Sequence, residues 1–153
     1  MPVPPSLSDL LAPSTLSPPP PIQSLAYIGD VVYELLTRTT LLYPLKKTSD
    51  YHSQVVKKVR AEEQSRMLGL ITREEGAEGA PSWLPLSPSE IQIIRRGRNS
   101  VKSQPSRFST DKGVYQDATS LECLIGYLYL EGCDEERFRT VAGWIKERIA
   151  EDN

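Results

Sequence analysis

Apolar positions along this chain recur at helical spacing, and their stripes divide it into elements. The stretch 25–36 reads LAYIGDVVYELL. Leu25, Ala26, Tyr27, Ile28, Val31, Val32, Leu35 and Leu36 cover nearly the whole circumference of a helix there. That pattern predicts an element packed on several sides, running over about 22–42 and ending before Pro44. A second helix is expected over 48–70, capped by Thr48 or Ser49, with Val55, Val56, Val59, Met67 and Leu68 as its apolar set. Gly76, Gly79, Pro81 and Pro85 mark a loop pinned by Trp83, after which Ser87-Pro88-Ser89-Glu90 spells a capping box with proline at the first helical position. The short helix it opens leads through Ile91, Ile93 and Ile94 into the sequence RRGRNS. A fourth helix is expected over 114–131, with Ala118, Leu121, Leu124, Ile125, Leu128 and Tyr129 apolar and Gly132 as its stop. A last amphipathic helix over 134–150 uses Phe138, Val141, Trp144, Ile145 and Ile149. No segment alternates with a period of two, so the expected class is all-α.

Composition changes the picture at the N-terminus. Residues 1–21 hold eight of the thirteen prolines, which remove helix donors and stiffen the backbone, so a disordered, Pro-rich tail dispensable for any chemistry is expected there. The folded domain is expected over 22–153. Cys123 and Cys133 form no CxxC pair or Cys/His cluster, which points away from zinc and from a disulfide framework. With neither a secretory leader nor a long apolar span in view, a cytoplasmic, non-membrane protein is expected.

Charge matters through its placement, because the net charge is only −2. Lys57, Lys58 and Arg60 share the second helical segment. From 91 to 112 there are six Lys or Arg against a single acid, Asp111. This second stretch, read as a flexible loop at 95–102, is suited to gripping phosphates, with Gly97 allowing close backbone approach. An ordinary solvated loop has the same composition.

Two acids stand out on the most apolar helices. Asp30, with Glu34 one turn later, interrupts the first stripe, and Glu122 interrupts the fourth. An unpaired carboxylate in a packed core costs several kcal/mol, so each needs a cation, a metal or a water-lined cleft. Structural pairing with an arginine would also satisfy Asp30. If the two helices pack together, the acids form an oxygen-rich site suited to Mg²⁺, which keeps several waters and takes one or two carboxylates. With basic segments nearby, the chemistry this points to is metal-assisted phosphodiester hydrolysis.

These residues also carry a resemblance. IGDVVYELL at 28–36 and ATSLECLIGYLYLEG at 118–132 resemble the two signature motifs of the ribonuclease III family, and RRGRNS at 95–100 resembles a loop of its short Mini-ribonuclease III branch, which lacks a double-stranded-RNA-binding domain. The resemblance covers about 25–130. It implies an all-α, homodimeric ribonuclease III-type endonuclease domain that cleaves double-stranded RNA, trims the ends of 23S ribosomal RNA precursors, and leaves 5′-phosphates and 3′-hydroxyls. Asp30 and Glu122 fall on the family's catalytic, Mg²⁺-binding acids. Lys57, Lys58, Arg60, Arg95, Arg96, Arg98, Asn99 and Lys102 are the expected RNA contacts, across the wide minor groove of the A-form duplex. Gln23, Ala26 and Thr119 stand where full-length members carry further acids, which implies a sparser metal site. Apolar residues in succession on 118–131 also suggest an uncovered interface. The competing readings are a non-catalytic RNA-binding or ribosome-associated module on the same fold and a helical adaptor. Neither explains why both acids are kept. Glu34 is a weaker candidate, Cys123 is read as packing, and His52 and Tyr115 merely adjoin the basic segments.

Overall fold

The computed structural model describes residues 18–102, 111–130 and 135–151. In them the apolar stripes become six helices: α1 (Ile22–Thr40), α2 (Thr48–Val59), α3 (Ala61–Ile71), α4 (Pro88–Asn99), α5 (Lys112–Leu130) and α6 (Glu135–Glu151). Among the described residues there is no strand, so the all-α class holds. Residues 1–17 and 103–110, with the proposed helix stop at Gly132, lie outside the described residues. Residues 18–21 lead into α1 without helix, and Pro21 is extended (φ −61°, ψ 154°).

Helix α5 is the central element, packed by α1, α3 and α4. Its Leu121, Leu124, Ile125 and Leu128 are buried inside the chain, together with the small residues Ala118, Ser120, Cys123 and Gly126. The apolar surplus of 118–131 is therefore consumed within one chain, and the expectation that it forms an uncovered face is corrected. The uncovered apolar face lies on α1 instead. Tyr27, Val31 and Leu35, one turn apart along one line, are 79%, 62% and 44% exposed. Helix α1 packs on one side only, through Leu25, Gly29, Tyr33 and Thr37.

The α1–α5 crossing is close because two glycines meet the opposing backbone. A Cβ on Gly29 would fall 1.7 Å from the carbonyl oxygen of Glu122, and one on Gly126 would fall 2.0 Å from that of Leu25. Gly97 does the same for α4, with a Cβ position 3.1 Å from Ser120 Cα and 3.0 Å from Cys123 Sγ. Buried Gly97 thus serves helix packing, not approach to a phosphate. The basic segment from Arg95 to Asn99 is correspondingly the end of helix α4, where a loop was expected.

The single helix expected over 48–70 is two, broken at Arg60 (φ −64°, ψ 152°). Side chains take up the carbonyls the break releases: the Tyr33 hydroxyl donates to Lys58 O (3.0 Å) and Gln64 Nε2 to Val59 O (3.1 Å). Thr48 is the first helical residue, and neither it nor Ser49 caps α2, because the N-cap position falls on Lys47. Val56 is exposed, while Val55, Met67, Leu68 and Ile71 carry the core contacts.

At α4 the capping box forms as expected between Ser87 and Glu90. Arg137 of α6 then donates to the buried Glu90 carboxylate from Nη2 (2.7 Å) and Nε (2.9 Å). Burial pushes that carboxyl up, but the guanidinium and the Ser87 amide outweigh it and hold Glu90 below its ordinary value. Arg137 also lies 4.9 Å over the Trp83 ring, which meets Trp144 edge-on at 5.9 Å, so Trp83 pins the loop before α4 onto α6.

Candidate active site

The Gly29–Glu122 contact sets the site, because it places the next residue on α1, Asp30, beside the side chain that leaves α5 at Glu122. Asp30 is exposed and Glu122 is half-buried, so of the expected ways to satisfy the two acids, access to water is open on the α1 side. Burial, then the Asp30 charge, pushes the Glu122 carboxyl up to about 7, with the Gln64 amide opposing. Burial and then Glu34 raise Asp30. Neither acid joins an ion pair among the described residues, whereas Glu34 is ion-paired to Arg38. Two carboxylates that repel each other without a protein cation are a donor set for a divalent ion. Among the described residues no group of three or more His, Cys, Asp or Glu gathers to hold a metal. An ion here would rest on two carboxylates and solvent, which suits a hard cation that retains waters.

The basic residues divide. Arg95, Arg96, Asn99 and Lys102 are exposed on or just after α4, and Lys57 and Arg60 on α2 and its break, with Lys58 half-buried. Arg98 is exposed but ion-paired to Asp117 of α5, whose carboxylate also accepts from Ser65 Oγ (2.8 Å). Both basic segments are tethered to the acid-bearing helices: the end of α2 through Tyr33 of α1, and the end of α4 through Asp117 of α5. Cys123 is buried and its thiol is pushed up to about 12, first by burial and then by Glu122, so it packs and does not react. His52 is exposed on α2.

Sequence reasoning missed two residues. Asp117 carried no signal among the polar positions that open α5. Gln64 did carry one: it occupies the first position of the α3 core stripe Gln64, Met67, Leu68, Ile71, a place where an apolar residue belongs.

Comparison with known proteins decides the family. Residues 23–132 match the model described as the ribonuclease III domain. A protein named Mini-ribonuclease 3 from Synechococcus sp. is 41% identical over 120 residues, covering 78% of this chain and 75% of the relative. Another of that name, from Thermosynechococcus vestitus, is 37% identical over 131 residues, 84% of this chain and 78% of the relative. This chain belongs to the ribonuclease III family, in its Mini-ribonuclease III branch. A crystal structure of protein FN1578 from Fusobacterium nucleatum shares the fold, with a TM-score of 0.67 and 25% identity over 88% of this chain and 99% of that one. The family consists of endoribonucleases acting on double-stranded RNA, and this member is a ribonuclease of that kind. No helix among its described residues is long and apolar enough to cross a membrane.

Proposed function

We propose that the protein is a Mg²⁺-dependent endonuclease for double-stranded RNA in which Asp30 and Glu122 hold the metal. The observation carrying this reading is the α1–α5 crossing, which brings an otherwise unpaired acid from each helix to one cleft. Bound there, the ion supplies the positive charge that a phosphodiester and its attacking water need, leaving a 5′-phosphate and a 3′-hydroxyl. The chain's own residues do the rest. Asp30, at the wet rim, and Glu122, deeper in the cleft, fix the ion's position. Arg95, Arg96, Asn99 and Lys102 from α4, with Lys57, Lys58 and Arg60 from the α2 end, hold backbone phosphates and 2′-hydroxyls. Arg98 reaches RNA only by leaving Asp117. The natural substrate is the end region of the 23S ribosomal RNA precursor, in the cytoplasm, in keeping with the Mini-ribonuclease III relatives. The working species is a homodimer, supported by the uncovered line Tyr27, Val31 and Leu35. The reading is tested by incubating the protein with end-labelled duplex RNA with and without Mg²⁺. Metal-dependent internal cuts are expected. Tight binding with no cutting in Mg²⁺ would favour the non-catalytic RNA-binding module instead.

A further inference from the structure

Gln64 is only 3% exposed, yet it is a polar residue in the core stripe of α3. Its amide is pinned: Nε2 donates to Val59 O at 3.1 Å, a carbonyl set free by the break between α2 and α3. The backbone on the same side is anchored by Gln64 N donating to Arg60 O at 3.1 Å. The same side chain lies beside the Glu122 carboxyl, close enough to hold it down against the burial that pushes it up. Oε1 is buried with no hydrogen-bond partner. Leaving such an acceptor unmet costs about 1–3 kcal/mol, which a residue serving only to fill space would avoid by being leucine or methionine.

We propose that Gln64 is a positioning residue for the metal site: its amide, fixed by the α2–α3 break, holds the Glu122 carboxylate turned toward Asp30. The break is then part of the site's construction, because a continuous helix would leave Val59 O bonded within its own ladder and the amide unpinned. The inference rests on the reading of Asp30 and Glu122 as metal ligands. It extends that reading to a neutral residue that touches neither RNA nor metal.

Removing a side chain that orients a metal ligand typically lowers metal affinity 10–100-fold. Gln64→Met keeps the volume and removes the donors. Mn²⁺ binding, followed by its paramagnetic signal in the absence of RNA, is expected to weaken by at least about tenfold. Duplex binding in EDTA and helix content should stay unchanged. In the Glu122→Gln background the same substitution should change Mn²⁺ affinity by less than about twofold, since Gln64 acts through Glu122. A second measurement needs no variant. In the ¹⁵N-labelled wild type, the Gln64 side-chain amide signals should shift as Mg²⁺ is titrated, with the midpoint of metal binding. Equal Mn²⁺ affinity in wild type and Gln64→Met, equal losses in both backgrounds, or an amide unmoved through Mg²⁺ saturation would each overturn the inference and leave the metal reading intact. A wild type that cuts RNA yet binds no Mn²⁺ would remove both.

Discussion

Asp30 and Glu122 each keep their shape but lose their charge when replaced by the amide. Asp30→Asn and Glu122→Gln are therefore expected to abolish duplex cleavage in Mg²⁺ with unchanged circular dichroism. Near wild-type cutting by either variant would show that the metal sits elsewhere. The same pair makes the metal-free fold sensitive to pH. Burial and the Asp30 charge raise Glu122 from 4.5 to about 7 in the folded protein, so folding favours its protonated form. That contribution is complete below about pH 4.5 and is lost as pH rises through 7, a change on the order of 3 kcal/mol before allowance for hydration at the cleft. In EDTA, Glu122→Gln should melt several degrees above the wild type at pH 8 and within about a degree of it at pH 4. If it melts no higher at pH 8, the two charges do not strain the cleft.

The helices meet through glycine where a side chain has no room, and this separates two superficially similar substitutions. Gly29→Ala drives a methyl to within 1.7 Å of the Glu122 carbonyl, so α1 must slide off α5. Overpacking of this kind typically costs 1–3 kcal/mol, and a backbone clash puts it at about 3 or more, with cleavage lost because Asp30 moves. Gly69 of α3 has nothing within 4 Å of its Cβ position, so Gly69→Ala should add about 0.5–1 kcal/mol through helix propensity. Urea unfolding of the two variants checks both signs. Four of the helices were legible because their stripes keep the 3.6 period and α4 announces itself with a capping box. The break at Arg60 was not, since no Gly or Pro marks it. Tyr33 and Gln64, from outside the broken turn or beyond it, satisfy the carbonyls it frees. Asp30 and Glu122 were visible as charges in apolar stripes, whereas Gln64, a neutral amide at a stripe position, breaks its stripe less sharply than a charge does. The basic end of α4 was misread as a loop because Gly97 looked like a breaker, when it is a packing contact. Arg98 also spends its charge on Asp117. Arg96→Ala should therefore lower the log–log salt slope of duplex binding by about 0.9, and Arg98→Ala by clearly less. Equal slopes for both variants would mean that Arg98 abandons Asp117 when RNA binds.

At the scale of the whole molecule, the apolar surface that the core leaves over is concentrated on α1. Tyr27, Val31 and Leu35 run along one line of the helix, and the exposed Leu42, Tyr43 and Leu45 follow directly after it. A line of uncovered apolar side chains along one helix face marks an association site, and a two-fold axis lets that face cover itself in a second copy. Pairing through α1 also has a consequence for catalysis. Asp30 lies on the helix that would form the interface, so two copies would present two clefts in a fixed relation to the two strands of a duplex. Light scattering of the wild type at micromolar concentration should then give twice the 17.1 kDa chain mass. Leu35→Glu, more than one turn from Asp30, should give the single-chain mass with helix content preserved, because it places a charge in the seam without touching the α5 contact. Its cleavage of long duplexes should fall at least tenfold while Mn²⁺ binding is retained, since each cleft is complete within one chain. A wild type that scatters as a monomer would leave the α1 patch without the partner argued for it. A monomeric Leu35→Glu that cuts at the wild-type rate would show that the second copy adds nothing to the chemistry.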